Sequence, residues 1–408
     1  MNTPYDRIAE AYVKLVLAVG QHDTDSVDAF YGPPEWAATA KSAKRPAESI
    51  HTEASALLSD LEKLPLPSEE ILRLRHQYLQ KQLSSLRTRV EILGGRHLSF
   101  DDEAAALYDA APPTFPEEHF QSLIGEIATI VPGNGPVPER IEQFRRKFII
   151  PTHRLDAVFL AAIDECRSRT KKHIPLPPGE SFRVEYVTNK SWSGYNWYQG
   201  QSRSLIQMNT DLPIFLERAI DLAAHEGYPG HHVYNSLLER ELVRTRGWME
   251  FSVYALFSPQ SLIAEGTANF GIEVAFTAAE RLTFERDVLF PLAGLDPSEA
   301  ERYARLQSVI ARLTYAGNEA ARRYLDGAFT REQATDWLVR YALMSPERAM
   351  QRTRFFDQYR SYVINYNLGQ DLVKRYVESR GGGAENAERR WQEFAQLISS
   401  PRLPSGLR

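Results

Sequence analysis

Residues 225–232 read HEGYPGHH, and the parsing of this stretch decides both the fold around it and its chemistry. A His-Glu pair followed by more histidines suggests a zinc hydrolase. The zincin signature is His-Glu-x-x-His, two imidazoles four residues apart on one helix face. Here the fourth residue after His225 is Pro229, and the next histidines are His231 and His232. On a regular helix His225 and His232 would share a face about 10 Å apart along the axis. That is too far for one ion with Zn–N bonds of about 2.0–2.1 Å. His225 and His231 would diverge. A regular helix therefore cannot make the site. Pro229 donates no backbone hydrogen bond and disfavours helical geometry at Tyr228. Gly227 and Gly230 permit backbone angles that other residues avoid. With Pro229 and Gly230 removed the stretch becomes HEGYH. The expectation is a helix over LPIFLERAIDLAAHE that delivers His225 and Glu226, then a bulge or break. A second helix over HHVYNSLLERELVRT would return His231 to the same point.

Outward from this stretch, most of the chain has helical periodicity. PSEEILRLRHQYLQKQLSSLRTRVEILGG carries Leu72, Leu79, Leu83, Leu86 and Val90 on one stripe and stops at Gly94-Gly95. TREQATDWLVRYAL opens with Thr330 and Gln333, a capping box, and SPERAMQRTRFFDQYRSYV has Ser345 as N-cap before Pro346. The exception is 181–210, rich in Val, Tyr, Trp and Ile and broken by Gly194 and Gly200, which reads as two or three strands. YGPPEW at 31–36 and VPGNGPVP at 131–138 read as loops. The fold class expected is mainly α, a large helical zincin-like body with a small antiparallel β-sheet next to the active-site helix. A helical region over 1–175 and a catalytic region over 176–408 form one continuous unit.

The bulk numbers narrow the function. The chain has 408 residues, 43% of them hydrophobic, and a net charge of −5. No basic cluster offers a nucleic-acid footprint. The single cysteine, Cys166, excludes an intramolecular disulfide and a cysteine zinc knuckle, and reads as an inert thiol on a helix. The charged amino terminus lacks a signal peptide's apolar centre, and no apolar run reaches the roughly 18–20 residues of a membrane span. A cytoplasmic location with no membrane partner is the expectation.

Catalytic zinc takes three protein ligands and keeps a fourth position open. His225 and His231 supply two. In SLIAEGTANFGIEVA, Glu265 lies in an otherwise apolar helical segment, where a carboxylate is costly unless paired or metal-bound. Asn269 or Glu273, further along the same segment, could orient a histidine. Glu226, beside the first ligand, is the candidate general base. His232 could replace His231 as ligand, bond an oxyanion or face solvent; the insertion argument favours His231.

HEGYPGHH and EGTANFGIE together resemble the bacterial family labelled domain of unknown function 885. Its members carry His-Glu-x-x-Pro-Gly-His-His and then Glu-Gly-x-Ala-x-x-x-x-Glu. RRYLDGAFTREQATDWL and YNLGQDLVKR are similar to later segments of that family, so the resemblance covers roughly 190–380. YVINYNLGQ lacks the Pro-Gly-Gln usual before the tyrosine. The family is similar to gluzincin metallopeptidases. The resemblance implies one Zn²⁺ ion on His225, His231 and Glu265 and a hydrolase of peptide or amide bonds, without fixing a substrate; hydrolysis of short peptides by metal-activated water is the leading expectation. Mn²⁺ or Co²⁺ also suits such a ligand set. Tyr366, just before Gly369-Gln370 in the matching segment, is the candidate oxyanion donor. Arg322, Arg323 and Arg375 are weaker candidates for a substrate carboxylate. RSLIQMNT at 203–210 could pair with a peptide as an edge strand. The Gly-x-Met-Glu-Asn element of gluzincin aminopeptidases is absent. Two other functions fit the residues: hydrolysis of a small non-peptide amide, and a helical binding protein with a vestigial site.

Overall fold

The computed structural model describes residues 3–190 and 192–407. It is mainly α-helical, with five short strands in two small sheets. The long amphipathic stretch forms the helix Glu70–Leu93, which ends at Gly94. Leu79, Leu83, Leu86 and Val90 are buried along its stripe, as their spacing requires. Thr330 closes a reciprocal capping box, and Ser345 caps the helix Pro346–Tyr359 through the Arg348 amide. Each cap satisfies backbone donors that the first helical turn leaves unpaired. Two stretches read as loops are shorter than expected, because helices begin at Pro34 and Val137 inside them. Proline at a first helical position starts an element as readily as it ends one.

The main core takes side chains from Ala29 to Leu407, so residues on both sides of position 175 share it. A smaller core packs the amino-terminal helices against Leu79, Leu83, Leu86 and Val90, and also holds Val253 and Ala255. The Arg75 guanidinium crosses between these parts and donates to both Glu250 oxygens at 2.6 and 3.1 Å in a buried, bidentate pair. Cys166 is buried, and burial pushes its thiol up to about 12, which suits an inert packing residue.

The strands are β1 (Val27–Phe30), β2 (Ser181–Val187), β3 (Gly194–Tyr198), β4 (Arg203–Asn209) and β5 (Val253–Ala255). β1 and β5 pair antiparallel, which brings the amino-terminal chain close to the later helices. The sheet beside the site helix has the order β2-β4-β3. It is mixed, because β3 and β4 form an antiparallel hairpin while β2 runs parallel to β4. The hairpin turn, with Gly200 at φ +77°, inserts β4 between its two predecessors. β4 is therefore the central strand, paired on both sides. RSLIQMNT has no free edge for a peptide, contrary to the expectation from its sequence. Its consecutive buried residues Ser204, Leu205 and Ile206 reflect cover on both faces.

Two helices carry the remainder of the site. Pro259–Ala275 and Ile364–Ser379 cross at Gly266 and Gly369. A Cβ on Gly266 would lie 2.4 Å from the Gly369 carbonyl carbon, so the backbones touch where they cross. No helix among the described residues is long and apolar enough to cross a membrane.

Candidate metal centre

The helix Glu217–Leu222 widens into a π turn over Ala223–Gly227, and a new helix opens at His231. Between them Tyr228 is extended, and the Tyr228–Pro229 peptide is cis. The Tyr228 amide donates to the Ala223 carbonyl at 3.0 Å and the Gly230 amide to that of Ala224 at 2.9 Å. These bonds reach back further than the four residues of a regular helix, which is how the chain absorbs the two extra residues. Gly230 presses against the preceding turn so closely that a Cβ there would lie 1.9 Å from the His225 carbonyl oxygen.

The bulge turns the two imidazoles toward each other. His225 Nε2 and His231 Nε2 stand 3.2 Å apart with the rings at 90°. Glu265, on the helix Pro259–Ala275, puts Oε2 at 3.3 Å from His225 Nε2 and 3.7 Å from His231 Nε2. A tetrahedral ion with bonds of about 2.0–2.1 Å holds its ligand atoms about 3.3 Å apart. The three atoms fit such an ion. Glu265 Oε2 is buried without a well-formed hydrogen bond to any described group, so the donor set converges on an atom it does not itself supply. The Glu226 carboxylate also lies within 4.8 Å of both imidazoles, so two acids face the histidine pair, with Glu265 Oε2 at 3.3 and 3.7 Å.

The surroundings orient each donor. Asn269 Nδ2 donates to the Tyr366 carbonyl at 2.9 Å, which leaves Asn269 Oδ1 to accept from His225 Nδ1 at 2.9 Å. His225 thus carries its proton on Nδ1 and presents a lone pair at Nε2. Of the two candidates for this task, Asn269 performs it. Glu273 instead accepts from Gln370 and Lys374. The Tyr362 hydroxyl donates to Glu265 Oε1 at 2.7 Å and frees Oε2 for the triangle. Burial alone would lower the His231 imidazole, but Glu265, Glu226 and Asp28 outweigh it and hold it up at about 9. Burial would raise Glu265, yet the two imidazoles hold it well below the usual carboxylate range. Both shifts express the attraction between the imidazoles and the carboxylates that face them.

Glu226 is buried at 4% exposure, and its backbone carbonyl accepts from Asn196 Nδ2 at 2.6 Å. Room for its carboxylate comes from Gly194 on β3, where a Cβ would lie 2.8 Å from Glu226 Oε1. Tyr366 is half-buried with its ring edge on Tyr362, and its hydroxyl engages no described residue. Burial and the nearby Glu265 carboxylate push that hydroxyl well above its ordinary range, while Arg352 works against them.

His232 departs from all three of its expected roles. Its Nδ1 meets Ser204 Oγ at 2.8 Å and its Nε2 meets Glu180 Oε2 at 3.1 Å, and the side chain is 1% exposed. Both ring nitrogens are occupied, so it can neither bind the ion nor reach an oxyanion. Glu180 also accepts from Tyr228 and Arg167, which makes this a buried polar brace beneath the bulge. We expect His231→Ala to lose its zinc in elemental analysis. His232→Ala keeps it but loses about 1–3 kcal/mol of stability to denaturant, because Glu180 loses a buried partner. Zinc retained by the first variant and lost by the second would exchange the two roles.

The arginines singled out from sequence lie elsewhere. Arg322 pairs with Asp101 and Glu319. Arg323 packs over Trp337, and Arg375 donates to the Asp371 carbonyl. Sequence reasoning missed three groups beside the candidate site. Tyr362 is one; Asp28 of β1, whose carboxyl accepts from the Tyr195 hydroxyl at 3.2 Å, is the second. Burial pushes Asp28 up to about 7, against the pull of His231. Arg352 is the third.

No family model matches this chain, and no curated protein matches it. Among solved structures, the whole chain is similar to 75% of one from Colwellia psychrerythraea described as a "putative lipoprotein", at 14% identity and a TM-score of 0.54. A "putative lipoprotein of unknown function" from Shewanella oneidensis aligns with 90% of this chain and 76% of its own, at 14% identity and a TM-score of 0.47. At this identity the first likeness establishes that the fold is shared, and the second adds no argument.

Proposed function

We propose that the protein is a zinc-dependent metallopeptidase that hydrolyses peptide bonds of short peptides. One observation carries the reading: two imidazole nitrogens and a carboxylate oxygen converge within 3.2–3.7 Å, with the Glu226 carboxylate beside them. The resemblance of HEGYPGHH and EGTANFGIE to the family labelled domain of unknown function 885, and through it to gluzincin peptidases, agrees with this.

His225, His231 and Glu265 would hold the ion, which when bound supplies Lewis acidity that polarises a carbonyl and acidifies water. Glu226 takes a proton from the attacking water as the water oxygen bonds to the carbonyl carbon. The Tyr366 hydroxyl donates to the carbonyl oxygen as it gains the electron pair. The C–N bond then breaks, and Glu226 returns the proton to the leaving nitrogen. Asn196 holds the Glu226 backbone and Gly194 leaves space for its carboxylate, so the base is positioned before substrate arrives.

Elemental analysis of the purified protein, followed by digestion of a peptide mixture with and without chelator, tests the proposal. About one zinc per chain and chelator-sensitive cleavage are expected. Absence of zinc, or cleavage indifferent to its removal, overturns it. Tyr366→Phe should lower kcat by about 10²-fold with KM and zinc content nearly unchanged, the usual cost of one oxyanion donor. An unaltered kcat would remove Tyr366 from the mechanism.

A further inference from the structure

The helix Pro346–Tyr359 carries Arg348 and Arg352 one turn apart. Nearby arginines have acid partners: Arg145 pairs with Glu217 at 2.8 Å and Arg331 with Asp357 at 2.7 Å. Among the described residues neither Arg348 nor Arg352 has a carboxylate within ion-pair distance. Arg348 donates to the Pro213 carbonyl. Arg352 is bounded by aromatic faces, its guanidinium carbon 4.4 Å from the Phe355 ring centre, 5.6 Å from Phe356 and 5.9 Å from Tyr366. Burial pushes Arg352 below the usual arginine range, and Tyr366 is the group that opposes the shift. Arg352 is half-buried, and a partly desolvated cation without an anion is costly. Its planar fork suits a carboxylate, which it can grip through two parallel hydrogen bonds.

The Tyr366 ring meets that of Tyr362, whose hydroxyl donates to Glu265, and the Tyr366 carbonyl accepts from Asn269, which holds His225; the Arg352 guanidinium lies 5.9 Å from the same Tyr366 ring. The Glu226 and Glu265 carboxylates repel an anionic group, and Arg352 attracts it. A substrate carbonyl at Tyr366 would therefore have its nearest carboxylate on the Arg352 side.

Building on the metallopeptidase reading, we infer that Arg352 binds the free α-carboxylate of the substrate, so that the enzyme removes residues from the carboxyl end of peptides. Arg352 is a specificity residue, and the proton transfers do not pass through it. An N-terminal blocking group is then tolerated, while conversion of the terminal carboxylate to an amide removes the anchor.

The decisive measurement is calorimetric binding of N-acetyl-leucine and N-acetyl-leucinamide to chelator-treated protein, which needs neither metal nor turnover. The acid should bind at least 10-fold more tightly than the amide. Arg352→Met should abolish that difference, and Arg352→Lys should restore part of it; circular dichroism of each variant verifies the fold. Equal binding of acid and amide by the unmodified protein overturns the inference, as does a preference that survives in Arg352→Met, or no binding of either probe. With zinc restored, blocked peptides bearing a free acid should be cleaved at least 10-fold faster than their amides. Acid-selective binding without hydrolysis of any peptide would leave the anchor standing and remove the peptidase reading instead.

Discussion

Glu226→Gln is expected to lower kcat by about 10³-fold while zinc content stays at its normal stoichiometry. General-base assistance is worth roughly 10²–10⁴-fold, and here one carboxylate both accepts the first proton and returns it, which favours the upper half of that range. The amide side chain is isosteric and fits the space left by Gly194, and the Asn196 bond goes to the Glu226 backbone, which the substitution does not touch. The two imidazoles and Glu265 remain in place, so the ion has the same ligands. Steady-state kinetics on a cleaved peptide together with elemental analysis provide the check. A variant that kept a tenth of the activity would place the base elsewhere. One that lost both zinc and activity would make Glu226 a ligand.

Gly230→Ala should be the most damaging single-methyl change in the site, costing about 3 kcal/mol or more and abolishing zinc binding. The added carbon would lie 1.9 Å from the His225 carbonyl oxygen, 2.4 Å from that of Ala224 and 2.5 Å from the His225 carbonyl carbon. All three are backbone atoms, so no rotamer change relieves the clash, and the turn itself must open. Opening it moves His225 relative to His231, whose nitrogens need to remain about 3.3 Å apart to share an ion. Gly125→Ala is the natural control. Gly125 is exposed on the helix Glu117–Ile130, and a Cβ there meets nothing within 4 Å. That substitution should stabilise the protein by about 0.5–1 kcal/mol, because alanine loses less backbone entropy in a helix. Denaturant melts and zinc stoichiometry of both variants make the comparison. A Gly230→Ala protein of normal stability and full zinc content would refute this account of the bulge.

The parts of the site that lie close together in sequence were readable, and the parts that come from distant elements were not. Pro229 and Gly230 identify a two-residue insertion because proline cannot donate in a helix and glycine allows close approach. Glu265 and Asn269 stand out because polar groups in an apolar helical segment need partners. Tyr362 carries no such mark: a tyrosine among Phe355, Phe356 and Tyr359 looks like packing until the helix Pro259–Ala275 is seen against it. Asp28 is almost 200 residues from the histidines, and only the pairing of β1 with β5 brings it near. His232 was ambiguous because its partners, Ser204 and Glu180, sit on or beside the sheet. The mixed sheet was hidden for a related reason. Residue alternation tells which segments are strands but not that β4 would enter between β2 and β3.

The Asn269 carboxamide joins two otherwise separate events. One end grips the ring of His225 and the other the main chain at Tyr366, on the helix that also lies against Arg352. Anything that draws Tyr366 toward a bound molecule therefore pulls on the imidazole proposed as a metal ligand. Under the metallopeptidase reading, binding of substrate beside Tyr366 and retention of the ion are then thermodynamically coupled, and by reciprocity each must alter the other by the same factor.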